Sequence, residues 1–202
     1  MYLSHLQISA GVLGCEENSL IMVKANANPP MDVDVQRMYQ VSQGDEGALK
    51  ELISKWKNPV FAYFQRSLGN LADSEELTQK VFFRVFRASG NYHPSAKFST
   101  WLFTIARNLL IDEIKKRSRR SCEVELLDDS SSASEEAEVR EIHEELQRQM
   151  VALPENQRTA LLLRVQGEWS YAEIASLMEA SESSVKTWIY RARQSLRESI
   201  KW

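Results

Sequence analysis

Apolar residues recur along most of this chain at helical intervals, and no stretch alternates convincingly enough to predict a strand. Ala48, Leu49, Leu52, Ile53, Trp56, Val60, Phe61 and Phe64 follow the i, i+3, i+4, i+7 rhythm of an amphipathic helix. After the turn "SLGNLADS", Asp73 or Ser74 is expected to cap a second helix, with Glu75 and Glu76 suited to its positive N-terminal end. Leu77, Val81, Val85 and either Phe82 or Phe86 form its apolar side. Gly90 and Pro94 break the pattern in a loop, Ser99 is placed to cap the next element, and "FSTWLFTIARNLLIDEIKKRSRR", Phe98 to Arg120, reads as a third long helix ending in a basic block.

Helical spacing resumes at Ile142, Leu146, Met150 and Leu153. Pro154 then marks the first position of a further helix carried by Ala160, Leu161, Leu163 and Val165 and ended by Gly167. Ser170 and Glu173 form the S-x-x-E pattern of a capping box, which predicts a short helix with Ile174, Ala175 and Leu177 inward. Beyond the break "EASES", Ser181 can cap a helix striped by Val185, Ile189, Ala192 and Leu196. Its other face carries Lys186, Thr187, Tyr190, Arg191 and Arg193. Two helices, a short turn and a basic second helix make the layout that sets a recognition helix in the DNA major groove. A helical hairpin with a merely solvated basic face has the same pattern.

Charge changes this picture through its distribution. The total is −3, from 25 Lys and Arg against 28 Asp and Glu. Yet Lys115, Lys116, Arg117, Arg119 and Arg120 form one basic block, and Lys186 to Lys201 another. Between them, "CEVELLDDSSSASEEAEVREIHEE" is acidic and Ser-rich, with too few large apolar residues at its centre to build a core. Aromatics beside the first block and cations in both suit nucleic acid, since rings stack bases and cations hold phosphates. The competing reading puts Tyr92, Phe98, Trp101 and Phe103 in the core and the first block at a helix C-terminus that favours cations anyway.

With 202 residues and 43% hydrophobic composition, the chain has room for one medium domain or two small ones. Seven Gly and five Pro are too few for a turn-rich sandwich or barrel. Cys15 and Cys122 stand alone, so no disulfide framework or zinc motif is written, and a reducing cytoplasm is expected. No run approaches the roughly 18 apolar residues of a membrane span, so no membrane partner is expected. Residues 1–31 read as a disordered N-terminal extension without the basic leader of a secretory signal, and Met22 and Met31 are candidate starts.

Three motifs in order resemble the extracytoplasmic-function group of sigma-70-type transcription initiation factors, over Val35 to Ile200. "DSEELTQKVFFRVFRA" is similar to the group's polymerase-docking helix, "FSTWLFTIARNLLIDEIKKR" to its −10 reading segment, and "LPENQRTALLLRVQGEWSYAEIASLMEASESSVKTWIYRARQSLR" to its −35 reading domain. The resemblance implies an all-α fold of two small helical domains joined by a flexible acidic linker, the second containing a helix-turn-helix. Its boundaries are 32–120 for region 2, 121–137 for the linker and 138–202 for region 4. It implies as partners core RNA polymerase, through the largest subunit's clamp coiled coil and the flap of the second-largest subunit, together with promoter DNA and, for some members, an anti-sigma factor.

Carried over residue by residue, the resemblance sets Glu75, Glu76, Gln79 and Phe82 against the clamp. Lys80 stands where the group commonly has an acid. Asn108 matches the position that holds a flipped −10 base, beside the loop from Asn91 to Phe98, with Trp101 packed under that loop and Lys115, Lys116, Arg117, Arg119 and Arg120 on upstream phosphates. Lys186, Thr187, Tyr190, Arg191 and Arg193 match the −35 reading positions, and Trp188 replaces a frequent basic residue.

No catalytic constellation is legible: His5, His93 and His143 are scattered, and no phosphate loop, Ser/His/Asp pattern or metal-spaced cluster occurs. The expectation is a protein without catalytic residues, metal or cofactor. Two alternatives remain: a helix-turn-helix regulator that dimerises through its first half and binds a palindrome without polymerase, and an adaptor that binds only protein.

Overall fold

The computed structural model describes residues 32–94, 96–120, 135–167 and 169–199. The expected N-terminal extension and most of the expected acidic linker lie outside the described residues. Among the described residues eight α-helices succeed one another: α1 Val33–Ser42, α2 Glu46–Leu68, α3 Leu71–Ala88, α4 Phe98–Arg120, α5 Glu135–Ala152, α6 Glu155–Gln166, α7 Tyr171–Leu177 and α8 Glu182–Ser199. No strand occurs among them, and all eight helices fall within one compact unit, Met31–Trp202.

α1 is the helix that periodicity alone does not announce. Only Val35, Met38 and Val41 give it an apolar edge, and its fourth buried residue is Asp34, 2% exposed. That carboxylate is satisfied from three directions: Lys55 Nζ at 2.5 Å, Trp56 Nε1 at 3.0 Å and Arg37 Nη1 at 3.1 Å. A buried charge held by two cations and an indole N–H fastens α1 to α2.

Local chemistry sets the boundaries of the other helices. The Asp45 carboxylate accepts from the Gly47 and Ala48 N–H groups and starts α2. Gly69, at φ +67°, ends it in the left-handed conformation that glycine adopts without a Cβ clash. α3 begins earlier than its acidic residues suggest, because Asn70 is the cap and accepts from the Asp73 N–H at 2.9 Å. α4 likewise starts at Phe98, ahead of the expected cap Ser99: Phe98 is fully buried, and the Trp101 N–H already donates to the Lys97 carbonyl. Pro154 is the N-cap of α6 rather than its first residue. Shifts of one or two residues are ordinary at helix ends, where the last turn frays.

α2 is the hub, packing on α1, α3, α4, α5 and α6. Leu52, Val60, Phe64, Val81, Val85, Phe98, Leu102 and Leu110 fill the space among α2, α3 and α4. Each such side chain contributes roughly 1.5–3 kcal/mol through burial, and Leu102→Ala is expected to cost roughly 2–5 kcal/mol. Leu162, Leu163, Ile174, Val185 and Ile189 do the same among α6, α7 and α8. Arg158, 4% exposed, donates to the Val151 carbonyl at 2.6 Å, so a cation satisfies the C-terminal end of α5.

Candidate nucleic-acid interface

The sharpest local signal folds as its residues predict. The Ser170 N–H donates to Glu173 Oε2 at 2.8 Å and the Glu173 N–H to Ser170 Oγ at 3.2 Å, a complete capping box that fixes the start of α7. The chain turns through Glu179, whose φ of 52° is unusual for a non-glycine residue. Ser181 Oγ then accepts from the Ser184 N–H at 3.1 Å and starts α8. With Val185, Ile189 and Ala192 buried, Lys186, Thr187, Tyr190, Arg191 and Arg193 are all exposed, Tyr190 at 69%. Lys186 lies 5.3 Å above the Tyr171 ring and 3.8 Å from Glu182, while the Thr187 hydroxyl donates to the Ser183 carbonyl at 2.9 Å.

On α4, Asn108 is exposed. Trp101 is half-buried, its ring 4.8 Å from Tyr92 and 5.8 Å from Phe98, so it supports the loop ahead of the helix. Burial pushes the Tyr92 hydroxyl up to about 12, with Asp32 adding to the effect, so it stays protonated. Lys115, Lys116 and Arg119 are exposed and Arg117 is half-buried; the Arg120 side chain lies outside the described residues. Arg117 is anchored to Asp73, to Glu113 at 3.4 Å and to the Leu68 carbonyl at 3.5 Å.

α3 presents Glu75, Glu76 and Gln79 to solvent but turns Phe82 inward, 7% exposed. The rings that face outward are Phe83 and Phe86, 61% and 54% exposed, which the run "VFFRVF" leaves ambiguous until the helix is placed. Lys80 pairs with Glu76 at 2.6 Å and holds that carboxyl below its ordinary value.

A polar chain then ties the first four helices to the last four. The Thr159 hydroxyl donates its single proton to Glu155 Oε1 at 3.0 Å, so Tyr63 must be the donor in its 3.0 Å bond to Thr159. Burial raises the Tyr63 pKa and keeps that proton in place. Arg107 grips Glu155 with Nε and Nη2, both at 3.1 Å, and Nη2 also donates to Asn156 Oδ1 at 3.1 Å. Nearby, the Phe103 and Trp169 rings meet edge to face at 5.6 Å. Lys97, in the loop ahead of α4, pairs with Glu173 at 2.7 Å; this bond and the Ser170 N–H hold the Glu173 carboxyl down to about 2. The partners in this network stand 48 and 96 residues apart, and no local pattern announces them.

Comparison with known proteins gives these surfaces a context. Residues 52–120 match the family model of sigma-70 region 2, and residues 143–196 that of sigma-70, region 4. The chain is 32% identical over 155 residues to the ECF RNA polymerase sigma factor SigM of Bacillus subtilis, a match covering 74% of this chain and 93% of the relative. With SigW of the same organism it shares 28% identity over 179 residues, covering 82% of this chain and 96% of the relative. Among solved structures it is similar to CnrH in complex with the cytosolic domain of CnrY, with TM-score 0.64 and 21% identity over 83% of this chain and 96% of CnrH. The sigma factor RpoE bound to the anti-sigma factor NepR from Bartonella quintana gives TM-score 0.61 and 20% identity, covering 75% of this chain and 95% of RpoE.

Proposed function

The chain belongs to the extracytoplasmic-function sigma factors, and from that premise we propose how its surfaces divide the work of promoter-specific transcription initiation. As a member of that family it is an initiation factor that partners with core RNA polymerase and promoter DNA. The α8 face of Lys186, Thr187, Tyr190, Arg191 and Arg193 takes the −35 duplex. Asn108, with the loop that Trp101 supports, takes an unpaired −10 base, and the exposed cations at the end of α4 take upstream phosphates. Glu75, Glu76 and Gln79 offer the largest subunit's clamp an acidic stripe, while the second-largest subunit's flap meets region 4. The observation that carries this division is the exposed, largely unneutralised cationic face of α8, on a helix-turn-helix whose caps and core are complete without it.

Geometry adds a condition. Elements centred near −10 and −35 are separated by about 25 base pairs, roughly 85 Å along B-DNA at 3.4 Å per step. The loop ahead of α4 touches α7 through Lys97 and Glu173, so the two reading surfaces cannot span that length as packed. The two halves, 32–120 and 138–202, therefore separate on the promoter, breaking the Tyr63–Thr159–Glu155–Arg107 chain.

The test is reconstitution with core polymerase. The purified chain should bind core polymerase one to one and give run-off transcripts from a cognate promoter that core alone does not produce. The dimeric-regulator alternative lacks support, since its first half is matched by a sigma region 2 model. It requires instead a homodimer binding a palindromic duplex with no need of polymerase.

A further inference from the structure

We propose that Tyr171 is a positioning residue for −35 recognition: its ring, shared by Arg164 and Lys186, holds the Lys186 ammonium ordered on the face that meets DNA. This rests on the reading of α8 as the −35 face and adds to it a residue from outside that helix.

Lysine reads a fixed target poorly unless something orders it. Its ammonium is a point charge on a flexible four-carbon stem whose rotamer freedom is lost on contact. Within α8, Lys186 has Glu182 at 3.8 Å, an i,i+4 pair with both side chains more than half exposed. Exposed pairs of that kind order little. Across the turn Lys186 also has the Tyr171 ring, with Nζ 5.3 Å from the centroid, inside the roughly 6 Å reach of a cation–π contact.

The ring is itself fixed. Tyr171 opens α7 directly after Ser170, whose capping box with Glu173 sets the backbone there, and it packs half-buried against the core. From α6 the Arg164 guanidinium lies 5.1 Å from the same centroid, while its Nη1 donates to the Trp169 carbonyl at 2.7 Å. Two like charges would otherwise repel each other here, and the negative π face is what accepts both. Since Arg164 is already tied to Trp169, the group that the ring orders is Lys186. Among the described residues no other cation of the α8 face lies over a ring. Lys186 therefore loses part of its rotamer freedom before DNA arrives, and less remains to be lost on binding.

Tyr171→Phe keeps the ring, and Tyr171→Leu keeps an apolar side chain without a π face. Holoenzyme reconstituted with each, alone and combined with Lys186→Ala, is titrated with promoter duplex across a salt series. Tyr171→Phe should bind as wild type. Tyr171→Leu should bind about fivefold more weakly, the scale of one immobilised long side chain, with an unchanged slope of log K against log salt because the Lys186 charge remains. In the Lys186→Ala background, Tyr171→Leu should weaken binding by less than about a further twofold. Phenylalanines bearing one, two and three ring fluorines at position 171 keep the ring's shape while draining its π face. They should weaken binding stepwise, which decides the matter even where Tyr171→Leu fails to fold. A loss in Tyr171→Phe equal to that in Tyr171→Leu would place the hydroxyl on DNA and overturn the proposal. So would an undiminished effect of Tyr171→Leu in the Lys186→Ala background, or a fluorine series without a trend. Wild-type affinity in Lys186→Ala alone would instead remove Lys186 from the −35 face, so that the parent assignment fails and this one with it.

Discussion

The cations that end α4 and those that line α8 are alike in composition and unlike in surroundings. Arg117 is held by Asp73, Glu113 and the Leu68 carbonyl, Lys116 lies 3.6 Å from Glu113, and Arg119 donates to the Lys115 carbonyl. On α8, Arg191 and Arg193 form no ion pair among the described residues, and Lys186 has only a long approach to Glu182. A guanidinium already bonded within the fold gains less from a phosphate, because the new bond must replace an existing one. Basic composition therefore marks two different things here: an Arg117 bonded to its neighbours within the fold, and arginines on α8 that no described carboxylate neutralises.

The largest expected effect belongs to the open face. Arg191→Ala combined with Arg193→Ala should weaken −35 engagement by holoenzyme about a hundredfold, roughly 3 kcal/mol for two base or phosphate interactions. The salt slope should fall by about 0.9 for each duplex phosphate no longer neutralised, and thermal unfolding should move by no more than a surface substitution does, within about 0.5 kcal/mol. A shifted melting temperature would show these arginines to be structural after all.

Arg117→Ala should behave the other way round. Its side chain is 34% exposed, so solvent screening limits the stability loss to about 1 kcal/mol, visible in a urea melt. The salt slope of promoter binding should hardly change. A clear slope change without destabilisation would place Arg117 on the DNA and erase the contrast with α8.

Tyr63→Phe removes the first donor of the chain between the halves and should cost the free protein about 1 kcal/mol. Core polymerase affinity should stay level or rise slightly, because the bond removed is one that separation must break. Reduced polymerase affinity in titrations with Tyr63→Phe would argue that the packed arrangement is the binding-competent one.

The smallest effect is a pH dependence at Glu173. Its folded pKa, about 2, lies below the ordinary carboxylate value of 4.5, so its contribution is complete above 4.5 and is lost as pH falls toward 2. Between pH 6 and 8 the pairing with Lys97 should be constant, and Glu173→Gln should flatten only the acid limb of a stability profile. A Glu173-dependent change near neutrality would mean that the carboxyl titrates in the packed state.

How much could be read in the residues depends on the range of the interactions. The helix-turn-helix was legible because its determinants are local: Ser170 with Glu173, Ser181, and the stripe of Val185, Ile189 and Ala192. α1 was not, because three apolar residues and a buried Asp34 give no usable period. Phe82 and Phe86 could not be told apart within a run of large apolar residues, and helix packing decided that Phe82 faces inward while Phe86 is exposed. The cap of α3 fell to Asn70 rather than to Asp73 or Ser74, since the Asn70 side chain accepts from the Asp73 N–H. The bonds of Tyr63, Thr159, Glu155 and Arg107 depend wholly on tertiary approach.

The division between two reading ends is tested most directly by footprinting holoenzyme on one promoter with Asn108→Ala and Arg191→Ala side by side. Permanganate reports melted thymines near −10, and hydroxyl radicals report protection around −35. The account predicts that Asn108→Ala loses thymine reactivity with −35 protection retained, while Arg191→Ala loses protection first and keeps melting on any complex that still forms. Equal loss of both signals in the two variants would contradict it.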